Sequence, residues 1–266
     1  MTSLFIGPDA SCAARIVASA TLLTAILGAW NQARAAEIRL LSAAVMQPVF
    51  KETIDEFERM SGHKLIITYR TMGAITQRML DSETADLVIG STPSISRLVK
   101  EGKINAESTA TIAKVGVGIV VHSGTPKQAV ASVDDLVRAL LAAKTIVYAD
   151  PLGGGAAGIH VVQVIKKLGL SEQLKSKTKF GAGGDVTEVI LAQGDGALGM
   201  TQISEIVGKP GAEFVGPLPD ELQNYTGITV GIPTDAQPSQ AVTTFAKFLQ
   251  SPAASAAFRA KGMQAE

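Results

Sequence analysis

Cysteine is almost missing from this 266-residue chain: there is one, Cys12. A single thiol closes no disulfide within the chain, so a stapled framework is excluded and the apolar core has to suffice. Histidine is nearly as scarce. His63, His122 and His160 stand far apart, and no two have the spacing of a ligand pair, so neither a metal centre nor a metal cofactor is expected. Charge of either sign is not in excess, with 24 Lys and Arg against 24 Asp and Glu, and that balance argues against nucleic acid or a membrane surface as partner. No Gly-x-Ser-x-Gly elbow occurs; the nearest string, GSTPS at Gly90, does not fit a nucleophile turn. Internal repeats and low-complexity stretches are absent too.

One long apolar run is present, Ile16 to Trp30. Arg15 precedes it, and Ala33-Arg34-Ala35 places small residues at the two positions a signal peptidase inspects. This pattern predicts an export signal at residues 1–35, cleaved after Ala35, and a product in the periplasm. Cys12 leaves with the signal, and so do Arg15, Arg34 and Asp9, which keeps the remaining charges close to balance. No later stretch approaches the length of a membrane span, so no membrane insertion is expected after cleavage. The remaining length suits two lobes of about 100 residues each.

Along residues 36–266 the apolar period switches repeatedly between strand and helix. EIRLLSA (37–43), KLIITYR (64–70) and ADLVIGS (85–91) read as strands, each followed by a helical run in which apolar residues recur at three- and four-residue spacing. The near-continuous apolar character of ADLVIGS suits a strand covered on both faces. VGVGIVVHS, TIVYAD and TGITVGIP add strands. SVDDLVRALLAA opens like a capping box, with Ser132 three residues before Asp135. Strand–helix alternation of this kind implies βαβ units and an α/β fold built on mainly parallel sheets flanked by helices.

Three strand-to-helix turns are rich in small or hydroxylic residues: Ser42-Ala43-Ala44, Arg70-Thr71-Met72-Gly73 and Gly90-Ser91-Thr92. In open α/β sheets such turns face the ligand crevice. A fourth turn, ADPLGGGAAGIH (149–160), contains a literal G-x-G-x-x-G at Gly153, Gly155 and Gly158. It does not fit a dinucleotide loop, because Asp150-Pro151-Leu152 separates strand from glycines and the region about 20 residues on is basic. It does not fit a Walker loop either, since it ends Gly-Ile-His. The turn reads as a helix start that offers backbone N–H groups to an anion, or as an ordinary glycine-rich loop. Arg70 ends a strand before a donor-rich turn, where its planar fork can hold a carboxylate through two hydrogen bonds; a plain surface arginine is the other reading.

The motifs LLSAAVMQPVFKETIDEFERMSGHKLIITY, GAITQRML, ADLVIGS, YADPLGGGAAGIH, GDGALGMTQISEI and FLQSPAASAAFRAKGM resemble, in order and across nearly all of residues 36–266, the periplasmic molybdate-binding-protein-like family of solute-binding proteins. The resemblance implies a two-lobed Venus-flytrap fold: residues 36–118 and 225–266 in the first lobe, 119–224 in the second, with crossings near Gly118 and Tyr225. It implies a small anion held between the lobes, an ABC transporter permease as partner, no cofactor, and a monomer. Carried onto this chain, the anion site comprises Ser42, Arg70, Thr71, Gly73, Ser91, Gly155, Ala157, Gly158, Gln202 and Ser204. The chain also departs from the pattern. Val45 stands where molybdate binders have a serine, Arg70-Thr71-Met72-Gly73 replaces a serine-bearing turn, and Gln202 stands where the family has a tyrosine. An arginine and a glutamine suit a larger, flatter anion such as a di- or tricarboxylate. The wider family also resembles an aconitate isomerase, which moves a proton between allylic carbons; for that chemistry Glu205, Asp150 and His160 are the candidate bases.

Overall fold

A computed structural model describes residues 1–2, 35–182, 185–237 and 239–266; the expected export signal therefore lies, apart from its ends, outside the described residues. Residues 36–266 form one compact unit. Among the described residues no helix is long and apolar enough to cross a membrane.

The first half of the unit runs β1 (Glu37–Ala43), α1 (Gln47–Ser61), β2 (Lys64–Arg70), α2 (Met72–Leu80), β3 (Leu87–Ser91), α3 (Thr92–Lys100) and β4 (Ala110–Val115). β1 lies between β2 and β3 and is parallel to both. α1 has Pro48 in its first turn, where no N–H is needed, and stops at Gly62, whose φ of 71° is left-handed. Every residue of β3 is buried, as its unbroken apolar run requires.

At Gly116 the chain leaves this sheet and builds a second: β5 (Val117–His122), α4 (Val133–Ala142), β6 (Thr145–Ala149), α5 (Ala156–Lys167), the short α6 (Ser171–Lys175), β7 (Thr178–Gly181), α7 (Val186–Gln193), β8 (Ala197–Gln202) and β9 (Ala212–Pro217). α4 carries the expected capping box: the Ser132 hydroxyl accepts from the Asp135 N–H, and the Asp135 carboxylate accepts from the Ser132 N–H. The chain then returns to the first sheet as β10 (Thr226–Gly231), followed by α8 (Gln240–Phe248), α9 (Pro252–Ala260) and β11 (Gln264–Ala265).

The strand orders are β11-β4-β10-β3-β1-β2 and β7-β6-β8-β5-β9. Each sheet is mixed. The βαβ repeats make its parallel part, β1 with β2 and β3 in one and β6 with β7 and β8 in the other. The antiparallel part comes from the strands at the crossings: β10 pairs antiparallel with β3 and β4, and β5 pairs antiparallel with β8 and β9. The chain returns at the same end from which it left, Thr226 at the start of β10 pairing with Val115 at the end of β4, so the return strand runs against its neighbours. The two crossings are tied by one side chain. Gln223 accepts from the Val117 N–H and donates to the Val117 carbonyl, both at 2.9 Å, the pattern a paired strand would supply. Gly116 beside it leaves no space for more, since a Cβ there would lie 3.1 Å from Gln223 Nε2.

The cores differ in kind. Against the first sheet α1 and α8 join four aromatic rings, with Phe57 edge-on to Phe245 at 4.8 Å and tilted against Phe248 at 5.3 Å. The second sheet is packed mainly by aliphatic residues such as Ile119, Leu136, Leu140, Ile146 and Val161.

Candidate functional site

Between the two sheets lies a cavity of about 60 Å³. It is lined by the ends of β1, β2, β3, β6 and β8 and by the turns that follow them, which is where open α/β sheets place ligands. Two contacts bring the walls together. The Ser204 hydroxyl donates to the Val45 carbonyl across the gap at 3.1 Å. Elsewhere in the contact the backbone at Gly73 meets the backbone at Gly153 and Gly154 so closely that a Cβ on Gly73 would lie 2.8 Å from the Gly153 oxygen.

Four helical starts converge on the cavity: the 3-10 turn Ala44–Met46 after β1, α2 behind its cap Thr71, α3 behind Ser91, and α5 behind Gly155. The first N–H groups of a helix have no partner within it, and the aligned peptide dipoles leave partial positive charge there. None of these four starts carries an acidic residue in its first turn, whereas α4, α6 and α7 do, with Asp134 and Asp135, Glu172, and Glu188. The positive poles aimed at the cavity are thus left uncompensated.

Arg70 adds the one full positive charge among the lining residues. Its guanidinium is exposed, donates to the Tyr69 carbonyl at 2.7 Å, and makes no ion pair among the described residues. Arg39, at the other end of the neighbouring β1, is by contrast fully occupied by Asp86.

The opposite wall is polar in a different way. Thr201, Gln202 and Glu205 come from the end of β8 and the 3-10 turn Ile203–Glu205. Gln202 is buried; its Nε2 donates to the Thr226 hydroxyl at 3.3 Å while its Oε1 has no partner among the described residues. The Thr201 hydroxyl donates to the Glu205 carboxyl. Burial pushes the Glu205 pKa up; the Thr201 hydroxyl and Lys209 oppose that shift, and Glu188 and Asp185 add to it.

Of the residues singled out in the sequence, Arg70, Thr71, Ser91, Gly155, Ala157, Gln202 and Glu205 line this cavity together. The others sit around it. Ser42 is buried, its hydroxyl donating to the Ala43 carbonyl. Ser204 spends its hydroxyl on the contact with Val45 and Gly73 on the contact with Gly153 and Gly154. Gly158 is pressed against β6, where a Cβ would fall 2.2 Å from the Ala149 oxygen, so its role is close helix–strand packing. Asp150 accepts from the Leu152 N–H and shapes the glycine turn, while His160 bonds the Leu222 carbonyl through Nε2 at 2.7 Å. Val45, Met72, Thr201, Thr226 and Ile228 line the cavity without having been expected to hold the ligand. Thr226 follows the return crossing, and only the sheet order places it beside Gln202. No group of three or more His, Cys, Asp or Glu side chains that could hold a metal ion occurs among the described residues.

Residues 38–264 match the profile of the family described as bacterial extracellular solute-binding protein. The chain is 25% identical over 233 residues to an aconitate isomerase of Pseudomonas sp, covering 85% of this chain and 87% of that protein. It is 29% identical over 237 residues to the molybdate-binding protein ModA of Azotobacter vinelandii, covering 86% and 90%. Among solved structures, the periplasmic molybdate-binding protein of Azotobacter vinelandii superposes with a TM-score of 0.69 at 16% identity, over 85% of this chain and 98% of that one.

Proposed function

The chain belongs to the bacterial extracellular solute-binding protein family, and on that premise we propose that it holds a small di- or tricarboxylate between its two lobes for an ABC transporter permease. One observation carries the choice of anion: Arg70, with no acidic partner among the described residues, faces a cavity whose other positive groups are helix starts. Neutral donors alone suit a small tetrahedral oxyanion, but an arginine fork matches the flat geometry of a carboxylate. Export to the periplasm and closure by a hinge at the Gly116 and Gln223 crossings, with residues 36–118 and 225–266 moving against 119–224, belong to the same reading.

A thermal-shift panel on the exported protein tests it, with citrate, cis-aconitate and trans-aconitate beside molybdate, tungstate, sulfate and phosphate. A ligand at 100 times its Kd stabilises by about 2.7 kcal/mol, a visible rise in Tm. Stabilisation by the carboxylates alone supports the proposal. Stabilisation by molybdate alone refutes it in favour of an oxyanion binder.

A second reading is favoured by Glu205. A carboxyl on the cavity wall with a raised pKa is suited to act as a general base: it would take a proton from one allylic carbon of bound aconitate, the double bond would shift, and the proton would return at the other end of the allyl unit. The aconitate isomerase of Pseudomonas sp among the relatives supports this possibility. Asp150 and His160 are engaged elsewhere, which leaves Glu205 as the base. Incubating cis-aconitate with the protein and following the trans isomer by proton NMR decides the point; no conversion leaves binding as the function.

A further inference from the structure

Glu205 lines a second cavity as well as the first. The outer one, of about 550 Å³, lies between the start of α1 and the start of α7, and includes the exposed Lys51, Glu52 and Gly208 at its rim. Glu205 and Ala44 line both spaces, so Glu205 stands in the partition between the inner and the outer cavity. A carboxylate in the wall of an anion site poses an electrostatic problem. A bound anion a few ångströms away would repel it, and a like charge at that range drives a carboxyl toward its protonated form.

We propose that Glu205 is an anion-linked proton site: as the anion enters the inner cavity, the Glu205 carboxylate takes a proton from solvent through the outer one, so anion and proton bind together. The inference rests on the anion-binding reading and goes beyond it. Its balance is simple. One O–H bond forms on Glu205, one solvent or buffer acid loses its proton, and the site gains one positive charge to offset the anion. The neutral carboxylic acid can then donate a hydrogen bond, which a carboxylate cannot.

The charged neighbours agree with this assignment. From α7, Glu188 and its N-cap Asp185 face Glu205 as acids, and both disfavour its ionised form. Lys209 opposes them, but its ammonium is already paired with Glu188. Across the outer cavity α1 supplies Lys51 and Glu52, and Lys261, at the end of α9, is paired with that Glu52. Arg70, which also lines the inner cavity, is the cation that an entering anion would neutralise. Burial already raises the pKa of Glu205 before any anion arrives.

Titration calorimetry of the exported protein with citrate, in buffers of different ionisation enthalpy between about pH 6 and pH 8, measures the protons taken up per anion. The same titrations on Glu205→Gln subtract citrate's own ionisation. The parent should take up more protons than the variant, approaching about one per citrate, and its affinity should fall more steeply as pH rises. Equal uptake in the two proteins overturns the proposal. If Glu205→Gln does not fold, an affinity of the parent that tracks only citrate's own ionisation overturns it equally. Absence of binding heat with citrate, trans-aconitate and molybdate alike would instead sink the anion-binding reading itself.

Discussion

The two walls of the cavity are built from the same kind of element, the turn after a strand, yet they offer opposite chemistry. The first-sheet wall presents Arg70 and three helical starts with no acidic residue in their first turns, of which α2 is capped by Thr71. The second-sheet wall presents one helix start, the amide of Gln202, the hydroxyl of Thr201 and the carboxyl of Glu205. On the anion-binding reading proposed above, one wall supplies attraction for any anion, and the other supplies the groups that would distinguish one anion from another and exchange a proton. The cavity is a site only when both are in contact, which makes the Ser204–Val45 bond and the Gly73–Gly154 approach part of its construction.

The sharpest way to break the second wall is Gly158→Ala. Its Cβ would sit 2.2 Å from a backbone oxygen of β6, so α5 must shift, at a stability cost of about 3 kcal/mol by chemical denaturation. A cost near zero would mean that α5 is not seated against Ala149. The first wall is tested by Arg70→Ala. Its exposed head supports no ion pair among the described residues, so Tm without ligand should hold, while carboxylate affinity falls by about 2 kcal/mol, roughly 30-fold in Kd. Unchanged affinity would remove Arg70 from the site. Contact between the walls is probed by Gly73→Ala, which places a methyl group 2.8 Å from the Gly153 oxygen across the gap. Each lobe should fold as before, and affinity should drop by about 1 kcal/mol through incomplete closure, read by calorimetry and small-angle scattering.

The smallest effect expected is on unliganded stability in Glu205→Gln. Because burial raises this carboxyl's pKa, its contribution to stability is full below its ordinary value of 4.5 and is lost as pH rises through the folded value. The glutamine variant should therefore match the parent in acid and become slightly more stable than it toward neutral pH. A variant that becomes less stable than the parent toward neutral pH would reverse the sign assigned to Glu205.

Much of the fold was legible in the sequence because its signals are local. β1 and β2 fall on the residues their apolar runs indicate, α4 on its capping box, and the break between α8 and α9 on Pro252. β4, β7, β9 and β11 were not: β7 and β11 are short, and β4 and β9 carry exposed or half-buried residues, so neither an unbroken apolar run nor a clean alternation marks them. The candidate site divides along the same line. Arg70, Thr71, Ser91 and Gly155 could be picked out because each sits at a strand–helix junction whose turn chemistry is written in consecutive residues. Ser42, Ser204, Gly158 and Asp150 lie at similar junctions, yet the folded chain spends them on packing, on a cross-wall bond and on a turn. Turn chemistry says that a group is available, not where it is used.

The sequence by itself determined the alternation of strand and helix and the uncapped glycine turn before α5, because hydrophobic period and capping act over a few residues. Only the tertiary structure decided that Thr226, Thr201 and Arg70 line one cavity, that Gln223 ties the two crossings, and that Glu205 stands between two cavities. Those relations join residues up to about 150 positions apart, and they follow from the chain leaving one sheet at Gly116 and returning to it antiparallel as β10.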